Sequence, residues 1–194
     1  MRMTRRHHHV LAFVLAAGLS ACGGDDDGRP SSETADAPAT PPAGWRTVEN
    51  EAAGFTLAAP RSWAAAIKRD ATLIRSKDEL VAVTIAADRS STGRETEPRK
   101  YSRDVIAALP GFEGKVSLKD GRIGGSPYGT AIAKGSGTVK TSGVAQRIEV
   151  AAFHRPRQVT YTAVIFRNAR ARPVPGRATV ARMLRSFRAQ PPTG

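Results

Sequence analysis

The sequence predicts one α+β domain, an antiparallel β-sheet flanked by helices, and three observations carry that prediction. Short runs of β-branched and aromatic residues recur through residues 45–166, separated by turns containing Gly, Pro, Ser and Asp. Two other segments repeat their apolar residues at helical rather than strand spacing. The chain has 194 residues, enough for one domain of ordinary size plus a tail, which excludes two large domains. At 40% hydrophobic and 24% charged residues it is also not a wholly disordered chain.

The elements follow in order. A short strand is expected near Trp45, and Phe55-Thr56-Leu57-Ala58 reads as a second, running into the turn Ala59-Pro60-Arg61-Ser62-Trp63. Residues 72–75 and 80–87 form a hairpin about Ser76-Lys77-Asp78-Glu79, because Val81, Val83 and Ile85 alternate with smaller residues. Residues 98–109 predict a helix: Pro98 suits a first turn, Tyr101, Val105, Ile106 and Leu109 share a face, and Pro110-Gly111 stops it. Residues 128–139, 147–154 and 159–166 are joined by two turn-rich links, the pattern of an antiparallel meander. A closing helix over 175–186 places Val180, Met183, Leu184 and Phe187 at i, i+3, i+4 and i+7.

This domain, residues 45–194, is preceded by two segments of different chemistry. Residues 1–21 carry Arg2, Arg5 and Arg6 and no acid, then a ten-residue apolar run over 10–19, then small residues, which is the layout of a secretory signal. Ten residues of helix rise about 15 Å, half of a ~30 Å hydrocarbon core, too little for a span. The twin-arginine variant is disfavoured because polar His8 stands where that motif wants an apolar residue, and His7-His8-His9 lies in the segment to be removed. Residues 22–44 hold no apolar residue larger than Ala apart from Cys22 at their start. Such a stretch cannot offset the entropy of ordering and is expected to be a tether spanning ~25 Å. Asp25, Asp26 and Asp27 lack the spacing and final Glu of a calcium loop.

Leu19-Ser20-Ala21-Cys22 resembles the bacterial lipobox. The resemblance implies cleavage between Ala21 and Cys22 and a diacylglyceryl group on the Cys22 thiol, with acyl chains anchoring the protein at the outer, extracytoplasmic face of the cell membrane. Two or three chains, at ~0.8 kcal/mol per buried CH₂, hold stably where one does not. Within the domain, Phe55-Thr56-Leu57-Ala58-Ala59-Pro60-Arg61-Ser62-Trp63 is similar to the "F-x-hydrophobic-x-x-P-x-x-W" opening of PsbP-like domains, and Leu184-Arg185-Ser186-Phe187 to their "hydrophobic-x-S-F" close. That resemblance implies an antiparallel sheet sandwiched by helices. The fold serves photosystem, nuclear-import and lipoprotein members that mostly bind macromolecules, and the motif residues pack rather than react.

Catalytic signatures are sparse. One Cys rules out an intramolecular disulfide, and after cleavage His154 is the only imidazole, flanked by Arg155 and Arg157, whose charges disfavour its protonation. Gly135-Ser136-Gly137 lacks the spacing of a nucleophile elbow, and the run to Lys140 lacks the glycine of a phosphate loop. Asp78-Glu79 sits in a turn and Glu95 with Glu97 precedes a helix, where acids favour the dipole. No cofactor or metal site is expected, and the reading is a binding or accessory lipoprotein, with an envelope hydrolase or transferase as the alternative.

The charge is the positive feature. The chain carries 30 Lys and Arg against 17 Asp and Glu, and from Trp45 onward the balance is 26 to 12, a net +14. Arg155, Arg157, Arg167, Arg170, Arg172 and Arg177 cluster around the last hairpin and its exit, a candidate platform for anionic lipid, an envelope polymer or an acidic protein partner. Nucleic acid is disfavoured by export and by the lack of interleaved aromatics.

Overall fold

The computed structural model describes residues 40–121, 130–139, 143–155 and 159–190, all within the unit Thr40–Gly194. The expected signal, most of the tether, Ala21, Cys22 and Arg157 lie outside the described residues. The fold is α+β, with every strand pair antiparallel. Ten strands and three helices are described: β1 (Trp45–Asn50), β2 (Phe55–Pro60), β3 (Ala64–Ile67), β4 (Ala71–Arg75), β5 (Val81–Asp88), α1 (Ser91–Glu95), α2 (Pro98–Ala107), β6 (Phe112–Gly121), β7 (Thr130–Val139), β8 (Val144–Arg155), β9 (Val159–Asn168), α3 (Arg177–Arg185) and β10 (Arg188–Ala189). A seven-stranded sheet runs β3-β4-β5-β9-β8-β7-β6, and a small sheet runs β1-β2-β10.

The predicted meander is β7-β8-β9 and the predicted hairpin is β4-β5. Sequence reading put residues 59–63 in a turn, but β2 continues through Pro60, whose missing N–H is harmless at its end. Strands β3 and β6, the two edges of the large sheet, and the short helix α1 were not foreseen.

One face of the large sheet carries the main core. Val81, Val83, Ile85 and Ala87 of β5 alternate inward and pack with Ile74, Ala163, Ile165, Phe153 and Tyr161. Residues of β1, β2 and α3 belong to the same cluster: Val48, Phe55, Leu57, Val180, Met183 and Leu184. At its centre Phe187 stacks on Phe55 at 5.4 Å between ring centroids and meets Phe153 and Tyr161 edge-on at 4.5 and 5.2 Å. The Tyr161 hydroxyl donates to the Gly54 carbonyl at 2.7 Å, which satisfies its buried polar end. Asn50, 1% exposed, ties the small sheet to the large one: its Nδ2 donates to the Lys68 carbonyl at 2.8 Å and to Thr72 Oγ1 at 3.1 Å. Trp45 lies at the margin of this core with the Arg182 guanidinium 5.4 Å from its ring centroid, a cation–π contact.

The opposite face is covered over β6, β7 and β8 by α2, where Ile106 meets Ala133, Ile148 and Val150. Glu97 caps α2 by accepting from the Arg99 and Lys100 amides at 3.0 Å each, and Pro98 occupies the first turn. The Tyr101 hydroxyl donates to Asp88 Oδ2 at 2.6 Å. Burial first, then the Asp88 carboxylate, pushes its pKa far up, so it remains a neutral donor. Gly114 and Gly137 oppose each other across β6-β7, and a Cβ on Gly114 would lie 2.0 Å from the Ser136 carbonyl oxygen. The Phe112 ring lies across Gly135 and Gly137, filling the space their missing side chains leave.

Candidate functional site: a cationic sheet face

The core covers only part of the face it occupies. Strand register assigns Lys115, Ser117 and Lys119 of β6, Lys134 and Ser136 of β7, Arg147 and Glu149 of β8 and Arg167 of β9 to the side that carries Ala163 and Ile165. Ile132 packs against the main core and marks where apolar cover ends. Beyond it Lys115, Ser117, Lys119, Lys134 and Ser136 are exposed, and Arg147 and Glu149 are half-buried.

Cross-strand partners turn these residues into rows. Lys115 faces Ser136, Ser136 faces Arg147 and Arg147 faces Arg167; in the next row Ser117 faces Lys134 and Lys134 faces Glu149. With strands about 4.8 Å apart and a rise of about 3.3 Å per residue, Lys134 stands about 8 Å, between Cα positions, from each of Lys115, Lys119 and Arg147. This is a lattice of cations interleaved with hydroxyls. Glu149 is the acid within these two rows, and Glu113 stands in the row beyond Lys115, opposite Thr138.

Arg167 departs from the expected exposed run. It is 5% exposed, with Nη1 3.4 Å from Glu149 Oε2. Burial lowers its pKa, Glu149 opposes that, and the charges of Arg147 and Arg177 add to the lowering. The two-residue period through Tyr161, Ala163 and Ile165 explains the difference, since it carries Arg167 onto the core side of β9. The other basic candidates scatter. Arg170 is exposed, Arg172 donates back to the Ala169 and Ala171 carbonyls at 2.7 and 2.9 Å, and Arg177 is exposed at the first position of α3. Arg155 closes β8, where its backbone and that of His154 are described but their side chains are not.

Lys115, Lys119, Lys134 and Arg147 were missed. Their signal is parity: Lys115, Ser117 and Lys119, like Lys134 and Ser136, occupy alternate positions and share one face of a strand. Gly135-Ser136-Gly137 is a strand segment, with Ser136 on the cationic face and the glycines toward α2. Among the described residues no group of three or more His, Cys, Asp or Glu could hold a metal, and no helix is long and apolar enough to cross a membrane.

A second concavity lies at the N-terminal end of α3. It is an open recess of about 480 Å³ lined by Trp63, Ser76, Lys77, Asp78, Val81, Pro175, Gly176 and Thr179. Trp63 is half-buried at its wall. The Ser76 hydroxyl donates to Asp78 at 2.5 Å and holds that carboxyl below its usual range.

These features define the class of the protein as an α+β sheet domain with an uncovered cationic half-face. No family model matches the chain, and no curated protein does. A solved structure from Bacteroides thetaiotaomicron superposes with a TM-score of 0.55 at 11% identity, over 76% of this chain and 49% of that one. The likeness is one of fold, and the chain spans about half the length of that relative. LpqN of Mycobacterium tuberculosis, described as involved in cell envelope biogenesis, aligns over 71% of this chain and 83% of its own at 15% identity, with a TM-score of 0.44.

Proposed function

We propose that this chain is a lipid-anchored, extracytoplasmic binding protein with a PsbP-like domain that docks an anionic component of the cell envelope. The observation that carries the reading is the cationic half-face, where Lys115, Lys119, Lys134 and Arg147 project from three adjacent strands with one acid, Glu149, among them. Side chains on paired strands are held at fixed spacing, so their charges add over a flat area instead of dispersing along a flexible loop. The domain motifs support the PsbP-like part, because the two quoted segments meet. Phe187 stacks on Phe55, and the Ser186 hydroxyl accepts from the Ala58 amide at 2.8 Å while donating to the Met183 carbonyl. The role is non-catalytic, and the anchor is Cys22.

Two measurements test this. Co-sedimentation with vesicles containing anionic lipid, and with acidic polymers, is expected to detect binding at low salt that weakens as salt rises, since exposed charges are screened beyond ~8 Å at physiological ionic strength. Reversing Lys115, Lys119 and Lys134 to Glu is expected to abolish it while leaving the melting temperature within a few degrees, because exposed strand positions contribute little packing. Binding unchanged by the three reversals overturns the site. For the anchor, Cys22→Ser is expected to eliminate incorporation of labelled fatty acid, and incorporation equal to wild type excludes lipidation at Cys22.

A further inference from the structure

Three arginines from three elements converge at the end of the cationic face nearest α3. Arg147 and Arg167 are register partners on β8 and β9, and Arg177 opens α3 directly after Gly176, which packs against Val81, the β5 register partner of Arg167: a Cβ on Gly176 would lie 2.9 Å from Val81 Cγ2. Glu149 stands beside Arg147 on the same face of β8, and its Oε2 already accepts from Arg167 Nη1. Lys134 stands directly opposite Glu149 on β7, and Ser136 opposite Arg147. Arg167 Nε is buried without a hydrogen-bond partner. Among the described residues no ion pair or hydrogen bond engages the side chain of Arg147, Arg177 or Lys134.

Like charges gathered at a half-buried site repel one another, and a counter-anion relieves that repulsion. We infer that Arg147, Arg177 and Lys134, with the Ser136 hydroxyl at the rim, form a seat for a dianionic phosphate monoester. The inference deepens the proposed docking function and rests on it. A carboxylate brings one charge and two oxygens and leaves part of this donor set unpaired. A phosphate monoester brings about −1.5 to −2 charges and three terminal oxygens. Guanidinium forks match phosphate geometry in pairs, while Lys134 adds a point charge. The buried Arg167–Glu149 pair beneath serves as a positioning element: it occupies the carboxylate that would otherwise neutralise Arg147 and Lys134.

The test titrates the full chain in detergent micelles with glycerol phosphate, a soluble monoester. In parallel it is mixed with phosphatidylcholine vesicles carrying phosphatidic acid or, at equal surface charge, phosphatidylglycerol, a diester. Preference for phosphatidic acid over phosphatidylglycerol, or saturable glycerol phosphate binding, is the expected result, and the arm that responds identifies a lipid or a soluble source. Arg147→Gln and Arg177→Gln are each expected to lower monoester affinity about tenfold or more, the loss of a charge-assisted hydrogen bond. Lys115→Gln and Lys119→Gln remove the same charge from the docking face outside the seat and are expected to weaken binding of both vesicles alike, leaving the preference for phosphatidic acid over phosphatidylglycerol unchanged. Arg147→Lys keeps the charge and the strand but loses the fork, so it should retain vesicle binding and still lose monoester affinity. Equal binding of monoester and diester vesicles without glycerol phosphate binding, or equal loss of the phosphatidic acid preference in Lys115→Gln and Arg147→Gln, overturns the seat and leaves the docking face standing. Failure to bind any anionic probe overturns both.

Discussion

Phe187→Ala is expected to destabilise the domain by about 3–5 kcal/mol, the usual cost of truncating a buried aromatic that its surroundings cannot collapse around. Phe187 is 5% exposed and touches Phe55, Phe153 and Tyr161, rings supplied by β2, β8 and β9. It also follows the turn that ends α3 and precedes β10, so it joins the helix, the small sheet and the large sheet at one point. Chemical denaturation followed by tryptophan fluorescence measures the loss as a shift in midpoint. Phe187→Leu, which keeps most of the volume, should cost well under half as much, and equal losses for Leu and Ala would show that the ring contacts do not hold the layers together.

Glu149→Gln is the second large effect, at about 2–3 kcal/mol. Removing one partner of a fully buried pair costs roughly 3–5 kcal/mol, and the 26% side-chain exposure of Glu149 lets water reduce that. What remains is Arg167, buried, charged and facing Arg147 and Arg177 with no carboxylate between them. Arg167→Met in the Glu149→Gln background should recover most of the loss, since it removes the stranded charge and keeps an unbranched apolar side chain in its place. Additive losses in the double variant would show that the two side chains do not act as a pair.

The elements legible in the sequence are those whose apolar period is uninterrupted. Val81, Val83, Ile85 and Ala87 declare β5, and Val180, Met183, Leu184 and Phe187 declare α3 and its packing face. Strand β6 was not read because its inward positions are Phe112, Gly114, Val116 and Leu118: a glycine interrupts the period, and lysines occupy the alternate places. Its pairing with β7 depends on the opposed Gly114 and Gly137, a long-range match that local pattern does not contain. Strand β3 has only Ala64-Ala65-Ala66-Ile67, too little β propensity to stand out. The cationic face was missed for a related reason. Counting arginines along the chain draws attention to residues 155–177, whereas parity and register place Lys115, Lys119 and Lys134 on the same face as Arg167, which the core covers while the three lysines lie beyond it. Trp63, read as a packing residue, packs at the core's margin, where the β2–β3 turn also leaves it at the wall of a recess.

The domain's first strand has a mechanical consequence. Whatever precedes Thr40 reaches the fold through Trp45 and enters β1, an edge strand whose six residues pair with β2 from Trp45↔Pro60 to Asn50↔Phe55. A load along β1 from its first residue is shared by all six pairs at once, whereas a load perpendicular to it opens them in turn, beginning at Trp45 and its contact with Arg182. Buried Val48 and Asn50 lie toward the far end, so a sideways pull releases the weakly held residues first and is arrested where Asn50 grips the β3–β4 turn. A sideways force applied at Trp45 therefore slackens a few residues of β1 before it reaches the core.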